Sequence, residues 1–268
     1  MIINETLQKK FEKLQEILRE KQRVAVAYSG GVDSAFLLWA AAATLGENAV
    51  AVTVEGDMMT AEELESAADF AARYGIAQYV LPVDIFRLRG FCDNTPDRCY
   101  YCKQFLFQKM TMAVRSMQME LVEGSNVDDL NDYRPGRAAL EDLGISSPLL
   151  EAGLTKEEIR QLSSANGLST WDKPSCACLA SRIPYGTAIT PEILMQIAQA
   201  ETFLHALGIR QVRVRHHGDL ARIETDAEGM EQLVQEGQRI ADRLKTFGYD
   251  YVTMDLELYR TGRMNETL

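Results

Sequence analysis

Between residues 24 and 124, apolar runs of strand length alternate with amphipathic runs of helix length. "VAVAY" (24–28) precedes "SAFLLWAAAATLG" (34–46), and "NAVAVTVE" (48–55) precedes a helix that runs from a Thr60/Glu63 capping box to about Tyr74. "AQYVLPV" (77–83) is followed by a loop with Cys92 and Pro96 and by a helix from about Cys99 to Met119, and "LVEG" (121–124) is a fourth strand. Ahead of them Leu7, Phe11, Leu14 and Leu18 recur at helical spacing. The alternation predicts an α/β fold, a parallel sheet with helices on both faces, because parallel neighbours need a crossover long enough to hold a helix.

Ligands of such sheets bind beyond the carboxyl ends of the strands. Four segments fall at that edge: "SGGVDS", "VEGDMM", "VDIFRL" and "EGSNVDD". The first joins strand to helix as Ser29, Gly30, Gly31, Val32, Asp33 and Ser34, without the lysine of the common phosphate loop. Two glycines let backbone N–H groups turn toward an anion, the two serines add hydroxyls, and the next helix presents its positive end. Asp33 supplies a carboxylate for Mg²⁺. The last segment carries Gly124, Asn126, Asp128 and Asp129 opposite this loop, a placement suited to nucleotide or Mg²⁺; read singly, each is also an ordinary solvated turn residue. Arg134 is a phosphate-ligand candidate of less weight.

Beyond Leu150 the texture changes. Thr155 and Glu158 cap a short helix that ends at Gly167, and "TWDKPSCACLASRIPYGTAI" (170–189) is a long loop without periodicity. Thr190-Pro191 opens another helix, "QVRVRHHGDLARIET" (211–225) alternates as a hairpin, one helix covers roughly 227–246, and "YDYVTMDLE" is a last strand. The expected division is 1–189 and 190–268, the latter a small α+β domain with an antiparallel sheet.

No apolar stretch reaches the roughly 20 residues needed to cross a bilayer, and the N-terminal segment lacks a signal-peptide core, so a cytoplasmic location is expected. That compartment keeps thiols reduced, so the five cysteines are not expected to form disulfides. Four lie in close pairs, Cys99 with Cys102 and Cys176 with Cys178, which points to metal, cluster or thiol chemistry. Cys92 reads as a lone loop or core thiol. The net charge of −11 disfavours a large RNA partner.

The loop resembles that of the PP-loop ATP pyrophosphatases, whose pattern is Ser-Gly-Gly-x-Asp-Ser. The resemblance implies an adenine nucleotide alpha hydrolase-like fold, cleavage of ATP between the α and β phosphates, and a loop that grips the departing pyrophosphate. Together "AYSGGVDS", "NTPDRCYYCK", "EGSNVDDLNDYRPGRAAL", "SPLLEAGLTKEEIR", "TWDKPSCACLASRIPYGT" and "VRVRHHGDLARIE" resemble the ATP-dependent sacrificial sulfur transferases, the LarE family, over about residues 24–260.

That resemblance implies a role in making the nickel-pincer nucleotide of lactate racemase. A carboxylate of a pyridinium biscarboxylic acid mononucleotide is adenylylated by ATP and Mg²⁺ and converted to a thiocarboxylate. In members with one such cysteine the residue gives up its own sulfur and becomes dehydroalanine; in cysteine-rich members three cysteines hold a [4Fe-4S] cluster carrying a transferable sulfide. Cys99, Cys102 and Cys178 match the three positions. Cys176 stands where an apolar residue is expected and could replace or supplement Cys178.

Ser181 and Arg182 follow Cys178, and a guanidinium there suits an AMP or substrate phosphate; the alternative is a surface salt bridge. Arg213 and Arg215 share a strand face and could meet one phosphate, or simply serve solubility on an exposed face. By resemblance this face, with Glu201 and Glu224, helps build the substrate pocket at the subunit interface of a homo-oligomer. The partners implied are the nucleotide substrate, proteins of nickel-pincer cofactor assembly and a sulfide donor, with neither nucleic acid nor membrane. Competing readings are a tRNA-thiolating PP-loop enzyme, an ammonia-using amide synthetase, and a nucleotide-binding scaffold with a zinc staple. His216 and His217 read as polar turn residues.

Overall fold

A computed structural model describes residues 4–131, 135–174 and 177–260. The chain runs through α1 (Glu5–Lys21), β1 (Val24–Ala27), α2 (Val32–Leu45), β2 (Ala49–Glu55), α3 (Ala61–Arg73) and β3 (Gln78–Pro82). Then come α4 (Arg89–Cys92), α5 (Arg98–Arg115), β4 (Glu120–Val122), α6 (Pro135–Asp142), α7 (Pro148–Glu151) and α8 (Lys156–Ala165). The last elements are α9 (Pro191–Ala206), β5 (Val212–His217), β6 (Leu220–Thr225), α10 (Ala227–Gln235), α11 (Gly237–Thr246) and β7 (Tyr251–Met254).

Contacts divide the chain into two compact units: Met1–Asp84 with Cys99–Cys176, and Ile85–Arg98 with Ala177–Leu268. These lines differ from a cut at 189. Residues 85–98 and 177–189 group with the C-terminal sheet, because Asn94 Nδ2 donates to the carbonyls of Ile183, Pro184 and Thr187, and Arg98 donates to that of Ala180.

The first unit holds the expected parallel sheet, in the order β3-β2-β1-β4. Val24, Ala25 and Val26 of β1 are buried because helices cover both faces. On one face Phe36, Leu37 and Leu38 of α2 pack with Leu14 and Leu18 of α1 and Ile159 and Leu162 of α8. On the other, Phe107, Met110 and Val114 of α5 pack with Val50, Val52 and Leu140. Each face is thus closed by its own apolar layer, and burial of this kind is the main stabilising term.

Several boundaries move. α2 begins at Val32, not Ser34, so Asp33 and Ser34 belong to its first turn. α5 stops at Arg115, short of Met119, and Gln118 takes φ 53° before β4. The loop around Cys92 contains the short α4.

The chain adds β2 and β3 to one side of β1 and then returns to its other side with β4. This reversal opens a crevice beyond the carboxyl ends of β1 and β4. It brings the residues after β4 against the start of α2: a Cβ at Gly124 would lie 3.1 Å from the Ser34 amide nitrogen and 3.2 Å from the Asp33 carbonyl carbon. Both are backbone atoms and cannot step aside cheaply.

In the second unit β5 and β6 form the expected hairpin, with Val212 opposite Thr225. The sheet is mixed, not antiparallel, because β7 runs parallel to β6. Two helices, α10 and α11, fill the crossover and bring the chain back to the end where β6 began. They replace the single helix expected over 227–246; the break falls at Glu236–Gly237, where glycine lowers helix propensity. Ile240 and Leu244 of α11 then join Val212, Val214, Ile223 and Tyr249 in a separate core.

The substitution Gly124→Ala should cost roughly 1–3 kcal/mol through overpacking, read as a lower urea midpoint at unchanged slope. An unchanged midpoint would contradict the close approach of β4 to α2.

Candidate functional site

The turn after β1 has the conformation that only glycine takes readily. Gly30 sits at φ 72°, with Ala67 Cβ only 3.5 Å from where a Cβ would project. Gly31 is the N-cap of α2 and contributes no side-chain cap, so no cap side chain competes with an anion for the first-turn N–H groups. The hydroxyls shape this loop: Ser34 Oγ donates to the Gly31 carbonyl at 3.2 Å and lies 3.1 Å from Ser29 Oγ.

Asp33 accepts from Lys156 Nζ at 2.5 Å through Oδ2, while its buried Oδ1 has no hydrogen-bond partner among the described residues. Burial pushes its pKa up; Lys156 pulls it down, Asp129 pushes it up again, and the net direction is upward. A buried carboxylate oxygen left unpaired, with a second carboxylate close enough to be felt, is the donor chemistry that Mg²⁺ takes. Asp33 and Asp129 therefore fit a magnesium ion accompanying a polyphosphate.

The acidic segment after β4 is ordered by its own side chains. Asn126 is buried; its Oδ1 accepts from the Asp128 amide at 2.9 Å, and its amide donates to Asp129 Oδ2 at 2.9 Å. Asp128 accepts from the Lys156 amide at 2.8 Å, tying this turn to α8. Glu123, not singled out from sequence, accepts from Ser125 and Ser147 and anchors the base of the turn.

Two lysines at this edge were also missed. Lys156 stands in the first turn of α8, where a cation opposes the helix dipole; that unfavourable position was a readable signal. Lys173 lies in the long loop and donates from Nζ to the Gly30 carbonyl at 3.0 Å. Nothing in its local sequence marks it.

Cys99 and Cys102 lie one turn apart at the start of α5, Cys99 exposed and Cys102 partly buried with Sγ 3.8 Å from Met58 Sδ. Two thiols so spaced can serve one centre. Cys178 is exposed and starts a short 3₁₀ turn, Leu179–Arg182. Cys176 and Arg134 lie outside the described residues. Among the described residues no three His, Cys, Asp or Glu side chains are grouped to hold a metal ion. Cys92, at the end of α4, donates from Sγ to the Phe86 carbonyl at 3.5 Å, as a packed thiol does.

In the second unit the arginines are buried, contrary to an exposed strand face or a surface salt bridge. Arg182 pairs with Glu201 through two parallel bonds, Nε to Oε1 at 2.9 Å and Nη2 to Oε2 at 2.8 Å. Its Nη1 donates to the carbonyls of Ala177 and Cys178 and to Ser181 Oγ, so this guanidinium holds the backbone of Cys178. Arg215 binds the fully buried Glu224 through Nε at 2.8 Å and Nη2 at 2.6 Å, and reaches the Ser181 carbonyl with Nη1. Arg213 lies over the Tyr259 ring, 5.2 Å from its centroid.

Burial pushes the Glu201 carboxyl up, but the Arg182 charge and hydrogen bonds, Arg213 and the Val214 amide outweigh it, and the net pKa falls below the usual carboxylate value. Burial also depresses His216 and His217, keeping both imidazoles neutral at pH 7.

No protein-family model matches the chain. It is 41% identical over 265 residues to an uncharacterized protein of Synechocystis, covering 98% of this chain and 99% of that one. It is 36% identical over 265 residues to the pyridinium-3,5-bisthiocarboxylic acid mononucleotide synthase of Lactiplantibacillus plantarum, covering 98% of this chain and 96% of the synthase. The chain belongs to the LarE family. A protein of Methanocaldococcus jannaschii, 30% identical over 257 residues, covers 94% of this LarE-family chain and is itself 98% covered.

Replacing Glu201 with Gln leaves Arg182 buried without its counter-charge, at a cost of about 3–5 kcal/mol at pH 7. Because the folded carboxyl titrates below its unfolded value, this stability is present above the unfolded pKa and is lost as pH falls through the folded one. The gap between parent and Glu201→Gln should therefore narrow on acidification. Urea unfolding across pH 3–7 checks this; a gap independent of pH would contradict it.

Proposed function

We propose that this LarE-family protein is an ATP-dependent sulfur transferase. It adenylylates a carboxylate of a pyridinium biscarboxylic acid mononucleotide and converts it to a thiocarboxylate, for the nickel-pincer nucleotide of lactate racemase. The observation that carries the reading is the glycine loop at the reversal of the sheet, with its uncapped helix start beside the unpartnered oxygen of Asp33. The name of the L. plantarum relative supports the product.

In the first step a substrate carboxylate oxygen attacks the α-phosphorus of ATP. The bond from that phosphorus to the β-bridging oxygen breaks, and pyrophosphate leaves toward Gly30, Gly31 and the first turn of α2. Asp33 and Asp129 would hold Mg²⁺, which would neutralise charge on the phosphates when bound. In the second step a sulfur nucleophile attacks the acyl carbon and AMP departs with its phosphate oxygen.

The sulfur has two sources under this reading. The resemblance of Cys99, Cys102 and Cys178 to the cysteine-rich branch favours a [4Fe-4S] cluster, which would supply a sulfide when bound. Without a cluster, the chemistry that this chain's own residues supply is the thiol of Cys178. That sulfur forms a thioester with the activated acyl group; loss of the Cα proton then breaks the Cβ–S bond, leaving thiocarboxylate and dehydroalanine. The Arg182 bonds to the Ala177 and Cys178 carbonyls support a rigidly presented thiol.

Arg213, Arg215, Glu201 and Glu224 are proposed to support the substrate side of a C-terminal domain that also mediates self-association. A cytoplasmic protein fits a chain in which no described helix is long and apolar enough to cross a membrane. The net charge of −11 supports a small nucleotide substrate over tRNA.

The test is iron and acid-labile sulfide content after oxygen-free purification, with the masses of chain and product recorded after turnover. About four of each per chain, lost in Cys99→Ala together with sulfur transfer, is the expected result. Full transfer and unchanged metal in Cys99→Ala would overturn the cluster. Iron-free protein whose chain has lost the elements of H₂S would assign the sulfur to Cys178. A product without sulfur would overturn the function itself.

A further inference from the structure

The common phosphate loop carries a lysine that reaches the departing phosphates, and "SGGVDS" has none. The structure brings an ammonium to the same place from another part of the chain. Lys173 Nζ lies 3.0 Å from the Gly30 carbonyl and 3.9 Å from where a Cβ of Gly30 would stand. Among the described residues no carboxylate pairs with it, and the Gly30 carbonyl takes one of its three protons without neutralising its charge.

The position is built. Arg160 of α8 donates from Nη1 to the Trp171 carbonyl at 2.6 Å and from Nη2 to the Lys173 carbonyl at 2.7 Å. The Lys173 amide closes a turn onto the Thr170 carbonyl at 3.1 Å. A guanidinium fork on the carbonyls of Trp171 and Lys173, two residues apart, thus fixes the backbone from which Lys173 extends. Lys156, another cation at this edge, is committed to Asp33. Arg160 spends its two printed bonds on the Trp171 and Lys173 carbonyls, which leaves Lys173 as the ammonium that no carboxylate among the described residues neutralises.

We propose that Lys173 is the pyrophosphate-binding lysine of this enzyme, supplied by the loop after α8 in place of the lysine that the glycine loop lacks, and that Arg160 is its positioning residue. This rests on the ATP-cleaving reading above. As the bond between the α-phosphorus and the bridging oxygen breaks, that oxygen and the β-phosphate gain negative charge. The ammonium offers two unused N–H donors and a positive charge to the leaving group, beside the first-turn N–H groups of α2.

Calorimetric titrations of magnesium pyrophosphate and of AMP test this on the full chain, with thermal midpoints reporting the fold. Lys173→Gln removes the charge and keeps an N–H donor on a side chain one atom shorter. It should bind pyrophosphate about 10- to 100-fold more weakly and AMP with unchanged affinity, while Lys173→Arg retains most of the pyrophosphate affinity. Equal binding of pyrophosphate by Lys173→Gln and the parent would overturn the role of Lys173 and leave the nucleotide reading standing. Equal losses for AMP and pyrophosphate would reduce Lys173 to a shaper of the loop, overturning the inference. A parent chain that binds neither magnesium pyrophosphate nor ATP would overturn the nucleotide reading, and this inference with it.

Discussion

The contact between the backbone after β4 and the first turn of α2 is the constraint on which the proposed nucleotide-binding edge depends. Gly124 lies against the Ser34 amide and the Asp33 carbonyl with no room for a Cβ. That approach fixes how the acidic turn carrying Asn126 and Asp129 faces the glycine loop, and it follows from the reversal of strand order at β1. The helix dipole, the uncapped N–H groups and the two carboxylates then act on one small volume. Asp33 is central to it, held by Lys156 on Oδ2, with no hydrogen-bond partner on Oδ1 among the described residues.

In the second unit the organising force is charge pairing out of water. Arg182 with Glu201, and Arg215 with Glu224, are buried pairs whose desolvation cost is offset by two donors on each carboxylate, on both oxygens of Glu201 and on Oε2 of Glu224, and by further bonds to the chain. Those further bonds run to the carbonyls of Ala177, Cys178 and Ser181. The loop bearing Cys178 is therefore shaped by side chains from below it, and its thiol stays exposed. Asn94 and Arg98 hold the next stretch, 180–187, in the same manner.

The elements that could be read from sequence are those whose signal is local. Alternating apolar runs announce the parallel sheet, Thr60 with Glu63 and Thr155 with Glu158 announce two capped helices, and His217-Gly218 announces the hairpin. The direction of β7 was not legible, because it depends on where α10 and α11 deliver the chain. Nor was the burial of Arg213 and Arg215, although the register that sets Arg213 opposite Glu224 follows from the hairpin turn. Lys173 was invisible for a plainer reason: its partner, Gly30, is 143 residues away. The glycine loop itself was legible in composition, but the start of α2 at Val32, which puts Asp33 in a helical first turn, was not.

The proposed chemistry turns on which bond of ATP is broken. Incubation with ATP labelled at the α-phosphate, with the pyridinium carboxylate nucleotide and Mg²⁺ present, distinguishes the two cleavages by product. The glycine loop, acting as a grip on departing pyrophosphate, predicts labelled AMP and one equivalent of pyrophosphate per carboxylate activated, both abolished in Asp33→Ala. Labelled ADP with inorganic phosphate would contradict it.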